Sequence, residues 1–270
     1  WFAEGLTSYF DVTLPYVSRL SKKNDLYNDF SILFTRYFNT PGRYIQSLSD
    51  SSKEAWIKLY KSKPFNLDNQ ISYYCLGALV ALSLDIFLRQ KNSSLSQLLR
   101  EMWHDFGSKE LGYTRNDIIE KIKISDKYLS DKLIKWLDKP NSLEIEEIIR
   151  LVGLELIPDN NKIPLTGISF EKTNNLIISR VERNSPAEES GLIIGDELIA
   201  ISDKKLVNQS EFTKIINTNN YFKVTFFRRN NLRNTDLYVH KNTVDKWKLS
   251  ECNVVTPSQR ALREKWLCFL

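Results

Sequence analysis

Few side chains in this sequence are placed for chemistry. A carboxylate, Glu4, lies in Trp1-Phe2-Ala3-Glu4-Gly5. The recurrence of Leu6, Phe10, Thr13, Val17 and Leu20 every three or four residues predicts a helix that carries this acid in its first turn. Negative charge suits that position on dipole grounds alone. Two adjacent tyrosines, Tyr73 and Tyr74, open the longest apolar helical pattern in the chain. His104 and His240 are the only histidines, far apart, and no His-Glu-x-x-His occurs. They read as a helix-end and a strand-end residue. A catalytic zinc takes three protein ligands and keeps one position open, so one carboxylate does not hold it. Cys75, Cys252 and Cys268 are odd in number and form no Cys-x-x-Cys pair, so neither a cysteine metal site nor a disulfide framework is indicated. A reducing compartment, the cytoplasm, is the expectation. Asp85 and Arg89 stand at i and i+4 in an apolar helix and read as a structural ion pair.

These groups must be positioned by a chain of 270 residues, long enough for two domains. A net charge of only +5, with Lys and Arg scattered along the chain, argues against nucleic acid as the main partner. The longest apolar run, Leu76 to Leu88, is interrupted by Asp85, so no membrane span is expected. Periodicity predicts helices over 6–20, 26–38, 52–60, 73–89, 95–106, 114–122, 130–136 and 142–151, with Gly153 as the stop. The polar stretch Pro158-Asp159-Asn160-Asn161 reads as a linker. Beyond it, strands are predicted at 177–181, 197–201, 222–227 and 236–240, with one helix over 210–216. A last amphipathic helix over 257–267 is free to pack on either domain. The expected division is 1–157 helical, 158–242 β-rich, and 243–270 a tail. The only methionine is Met102 and the chain opens inside a helical pattern, so Trp1 is expected to follow a missing N-terminal segment.

The opening Trp-x-x-Glu-Gly, continued by Leu6-Thr7-Ser8-Tyr9-Phe10-Asp11, resembles the segment of gluzincin aminopeptidases that supplies a third zinc ligand. The resemblance implies that Glu4 binds Zn2+ beside two histidines from a His-Glu-x-x-His helix outside this chain. It also implies a zinc-bound water of pKa about 7 as the attacking species. Ser72-Tyr73-Tyr74-Cys75-Leu76-Gly77 is similar to the Tyr-Tyr-x-Lys-Gly helix start of the glycyl aminopeptidase family. The implied role of Tyr74 is to donate a hydrogen bond to the oxyanion formed when water attacks the peptide carbonyl. The family lysine is Leu76 here, which implies a changed substrate pocket.

Ser185-Pro186-Ala187-Glu188-Glu189-Ser190-Gly191-Leu192, followed by Gly195-Asp196-Glu197-Leu198-Ile199, resembles the core of bacterial PDZ domains. In that pattern Pro186 begins a short helix, Gly191 ends it, and Gly195-Asp196 turns into a strand. PDZ domains add an extended chain as a strand and receive its terminal carboxylate on free amides. The resemblance puts Leu165, Thr166, Gly167 and Ile168 at that binding loop, and Ser210, Thr213 and Ile216 on the facing helix. Thr166 stands where an apolar residue is usual, and a groove that only packs on the peptidase is the alternative. Phe226-Phe227-Arg228-Arg229 resembles the PDZ strand end of the same family, although solvated charge alone accounts for two arginines.

The fold expected is α+β and multidomain: the mainly α-helical C-terminal half of a thermolysin-like catalytic domain, then a small PDZ domain. The expected activity of the intact parent is zinc-dependent removal of N-terminal residues, Gly or Ala by family preference, with peptides as substrates and protein C-termini as partners of the PDZ groove. This chain alone is expected to be inactive, because two ligands and the general base are absent. The alternative is a noncatalytic PDZ-type binding protein on a degenerate peptidase scaffold.

Overall fold

The apolar pattern that begins at Tyr73 forms the centre of a helical unit. Fifteen of the eighteen residues of helix Tyr73–Gln90 are buried, so the helix is covered on nearly every side. The computed structural model describes residues 1–61, 63, 66, 68–159, 165–173, 175–239, 244 and 246–268. The helices of the first unit are α1 (Phe2–Val17), α2 (Lys23–Phe38), α3 (Leu48–Lys53), α4 (Ala55–Lys58), α5 (Tyr73–Gln90), α6 (Leu95–Asp105), α7 (Arg115–Ser125), α8 (Lys127–Asp138) and α9 (Ile145–Arg150). Strand β1 (Leu154–Asp159) follows them.

Local chemistry sets several ends differently from the periodicity. Helix α1 stops at Val17, short of Leu20, because Arg19 turns left-handed at φ 58°. The single helix expected over 52–60 is two short ones: the Ser47 hydroxyl caps α3 on the Asp50 amide, and Glu54 breaks it at φ −93°, ψ 6°. Gly153 does end the helical series, but β1 starts at the next residue and carries Pro158, so the expected linker is partly strand. Asn160 and Asn161 lie outside the described residues.

A buried polar chain ties four elements of this unit together. The Trp266 indole donates to the Tyr9 hydroxyl at 2.8 Å, which donates to Asp85 Oδ2 at 2.8 Å. Asp85 Oδ1 accepts the Leu95 amide at 2.7 Å and Arg89 Nε at 3.5 Å, and Arg89 Nη1 reaches the Cys268 carbonyl at 2.8 Å. Burial pushes the Asp85 carboxyl up, opposed by Arg89 and by the hydrogen bonds of Leu95 and Tyr9. Asp85→Ala strips the guanidinium, an amide and a phenol of their shared acceptor. It is expected to cost about 3–5 kcal/mol of unfolding free energy. Urea unfolding followed by circular dichroism measures it, and a loss below about 1 kcal/mol would deny the network this weight.

The second unit contains β2 (Ile168–Phe170), β3 (Ile178–Val181), α10 (Pro186–Glu189), β4 (Glu197–Ile201), β5 (Lys204–Lys205), α11 (Gln209–Ile216), β6 (Tyr221–Arg228) and β7 (Asn231–Tyr238). Strands β2 and β3 pair antiparallel, and a four-stranded sheet runs in the order β5-β4-β6-β7. Along β6 the buried residues Phe222, Val224 and Phe226 alternate with more exposed ones, the period of a half-buried strand. The hairpin β6–β7 turns at Arg229 and Asn230, both at positive φ, so β7 begins well before the expected Asp236. His240, expected at its end, lies outside the described residues.

The motif residues of this unit are structural. The Ser185 hydroxyl caps α10 and Pro186 occupies its first turn. The fully buried Asp196 accepts Arg228 Nε at 2.7 Å and Nη2 at 2.6 Å, and the Ile193 amide at 2.9 Å. Arg228 is therefore more than a solvated charge: it clamps the turn that precedes β4.

The chain then returns to the first unit. Strand β8 (Lys246–Glu251) pairs with β1, and helix α12 (Pro257–Leu267) buries Leu262 and Trp266 in the helical core. The two units comprise 1–62, 69–158 and 247–270, and 63–68 with 159–246. Among the described residues no helix is long and apolar enough to cross a membrane.

Candidate functional site

Helices α1 and α5 cross where two glycines meet. A Cβ on Gly5 would stand 2.7 Å from the Gly77 backbone, and one on Gly77 would stand 2.8 Å from Gly5 Cα and 3.2 Å from the Trp1 carbonyl oxygen. No other residue type permits main chains so close. Glu4 precedes one glycine and Tyr74 lies three residues before the other, so the crossing makes the first turns of the two helices neighbours.

Glu4 is exposed, and among the described residues its carboxylate accepts no hydrogen bond. Its charge acts on the Tyr74 hydroxyl. Tyr74 is half-buried, and its ring stacks on that of Tyr73 with centroids 4.4 Å apart. Sequence reasoning missed Tyr60, which follows α4. The Tyr60 hydroxyl lies 2.6 Å from that of Tyr74 and 2.9 Å from that of Tyr73. The hydrogen bond to Tyr60 raises the Tyr74 hydroxyl above the ordinary phenol, and burial raises Tyr73 far above it. Tyr73 and Tyr74 are therefore neutral hydrogen-bond donors at neutral pH. An isolated tyrosine at a loop end carries no sequence signal for this.

Leu76, at the position of the family lysine, is buried in the helical core. His104 lies in the last turn of α6, strongly exposed, with its ring nitrogen 3.0 Å from Asp105. Among the described residues no group of three His, Cys, Asp or Glu side chains is gathered as a metal site. The donor chemistry fits zinc in part: Glu4 offers one unclaimed carboxylate of the three ligands required.

In the second unit a groove of about 200 Å³ runs between β2 and α11. Leu165, Thr166, Gly167 and Ile168 line one side, Thr213 and Ile216 the other. Gly167 holds φ +74°, and a Cβ there would strike the Ser185 side chain at 2.2 Å. Ser210 does not line the groove. Gln209, Phe212, Thr213 and Ile216 follow the i, i+3, i+4, i+7 stripe, from which Ser210 is rotated away. Phe170 and Glu182 also reach the groove, and Phe170 meets Phe212 edge-on at 5.2 Å. Only the strand pairing reveals these contacts.

Residues 1–80 match the family model of the M61 glycyl aminopeptidase, and residues 151–225 match that of the PDZ domain. Over 99% of its length the chain is similar, at 26% identity and a TM-score of 0.83, to the crystal structure of an aminopeptidase N family protein from Idiomarina loihiensis. It covers 48% of that protein, about half its length. The HtrA3 PDZ domain bound to a phage-derived ligand matches 37% of the chain at 15% identity, with a TM-score of 0.27. An HtrA-type protease with a decapeptide matches 35% at 14% identity, also with a TM-score of 0.27. No curated protein matches the chain. Two glycine-crossed helix starts followed by a strand-and-helix groove thus agree with the two family matches and their order: a region similar to the M61 glycyl aminopeptidase comes first and one similar to a PDZ domain follows it.

Proposed function

We propose that this chain is the C-terminal part of a zinc-dependent aminopeptidase that removes small N-terminal residues, Gly or Ala, from peptides. The observation that carries the reading is the contact of Gly5 with Gly77, which makes neighbours of the helix turns that carry Glu4 and Tyr74, so that the carboxylate acts electrostatically on the hydroxyl. In this reading Glu4 is one of three zinc ligands, and two histidines and the general base come from a segment outside the chain. Bound zinc would supply a water of lowered pKa as nucleophile. Tyr74, in the first turn of α5, donates its hydroxyl proton in a hydrogen bond to the oxyanion as the peptide carbonyl becomes tetrahedral. The positive end of α5 favours the same developing charge. Tyr60 orients the Tyr74 hydroxyl through their shared hydrogen bond. The PDZ domain takes an extended chain along β2. Three free cysteines suit a reducing compartment, which we take to be the cytoplasm.

The test is turnover of glycyl and alanyl p-nitroanilides by the longer protein that contains this chain, before and after exhaustive chelation. Activity should vanish on chelation, return with added zinc, and exceed that on leucyl and phenylalanyl anilides. Turnover untouched by chelation would sink the metal reading. A second reading is favoured by Leu76, whose burial leaves that helix turn without the family's charge: a noncatalytic PDZ protein on a peptidase scaffold. Absence of turnover in a zinc-loaded protein would select it.

A further inference from the structure

The edge of β2 is built for a strand, but its loop is poorly suited to a terminal carboxylate. The Glu171 amide donates to Ile177 at 2.9 Å, toward β3. By the alternation of an antiparallel pair, Ser169 faces β3 as well, while the N–H and C=O of Ile168 and Phe170 point to the groove side. The Ile168 amide, which a carboxylate at this loop would need, is engaged already: it donates to the Thr166 hydroxyl at 3.3 Å. Thr166 is itself buried, so the hydroxyl is held in place.

Charge points the same way. Glu182 lines the groove, and none of the described lining residues is cationic. The nearby Arg180 is divided between Glu182 at 3.0 Å and Asp68 at 2.6 Å, two carboxylates for one guanidinium. A second anion entering here would meet a net negative rim and an amide already satisfied.

We propose that this groove receives an internal extended stretch of polypeptide, with an apolar side chain between Ile168, Phe170, Phe212 and Ile216, and does not select a free C-terminal carboxylate. This rests on the reading of the second unit as a peptide-binding PDZ domain. The Ile168 carbonyl and the Phe170 amide and carbonyl then form the ladder, while Thr166 satisfies the one amide that the ligand leaves unused.

The experiment uses the full chain and one fluorescein-labelled decapeptide of alternating valine and serine, made with a free C-terminal acid and with a C-terminal amide. Fluorescence anisotropy should give the two forms affinities within about threefold of each other. Thr166→Val frees the Ile168 amide and should shift the ratio of the two affinities about tenfold in favour of the acid. Glu182→Gln should favour the acid in the same direction, and thermal melting confirms that each variant folds. The wild-type ratio decides even if the Thr166 variant fails to fold. An acid bound at least about tenfold tighter than the amide by the wild type overturns this inference and leaves peptide binding standing. Absence of binding by either form at millimolar concentration overturns both.

Discussion

Tyr74→Phe in the longer zinc-loaded protein is expected to lower kcat about 10²–10³-fold, with KM and zinc content little changed. The substitution removes one hydroxyl and keeps the ring that stacks on Tyr73 at 4.4 Å. The Tyr60 hydroxyl keeps its contact with Tyr73 at 2.9 Å, so the aromatic cluster stays closed. A donor that acts only as the carbonyl becomes an oxyanion stabilises the transition state more than bound substrate, which is why kcat falls and KM does not. Steady-state kinetics with metal analysis of the same sample measures both quantities. Unchanged kcat would remove Tyr74 from the chemistry and leave it an aromatic of the helix start.

Glu4→Ala is expected to act on the metal instead: zinc content should fall below about a tenth of the wild type, and turnover should fall with it. Even the outer partners of zinc ligands are worth about 10–100-fold in metal affinity, and a ligand is worth at least that. The variant has little reason to unfold. Glu4 is exposed in the first turn of α1, alanine is the better helix former, and the forfeited dipole interaction is about 0.3–1 kcal/mol. Loss of zinc with an intact melting transition therefore identifies a ligand. Full zinc occupancy would deny Glu4 that role, whatever happened to activity.

The parts of the fold that were legible in the sequence are those written in local patterns. The run that became α5 is apolar over four turns, and β6 alternates Phe222, Val224 and Phe226. The helix start at Pro186 and the turn at Gly195-Asp196 were legible for the same reason, while the cap by the Ser185 hydroxyl was not read. Strands β1 and β8 were not legible: they pair across some ninety positions of chain and have neither a long run nor a nearby turn to announce them. At the sites, residue types were readable and contacts were not. Glu4 and Tyr74 stand out as motif positions, but nothing in the sequence puts Gly5 against Gly77, or the Tyr60 hydroxyl within reach of two others. The substitution at Thr166 was visible, while its hydrogen bond to the Ile168 amide depends on the left-handed turn at Gly167 between them.

The discontinuity of the helical unit bears on the order in which the protein takes shape during synthesis. Its last pieces, β8 and α12, come after the whole of residues 159–246. Until they emerge from the ribosome, β1 has no partner strand, and Tyr9 and Phe30 wait for the Trp266 indole that covers them. Translation adds roughly 5–20 residues per second, so the nascent helices spend seconds with that face open while the β unit already has all of its strands. The unit encoded second is therefore the one that closes first, and a premature stop within residues 159–246 costs the helical unit the β8 and α12 pieces of its own core.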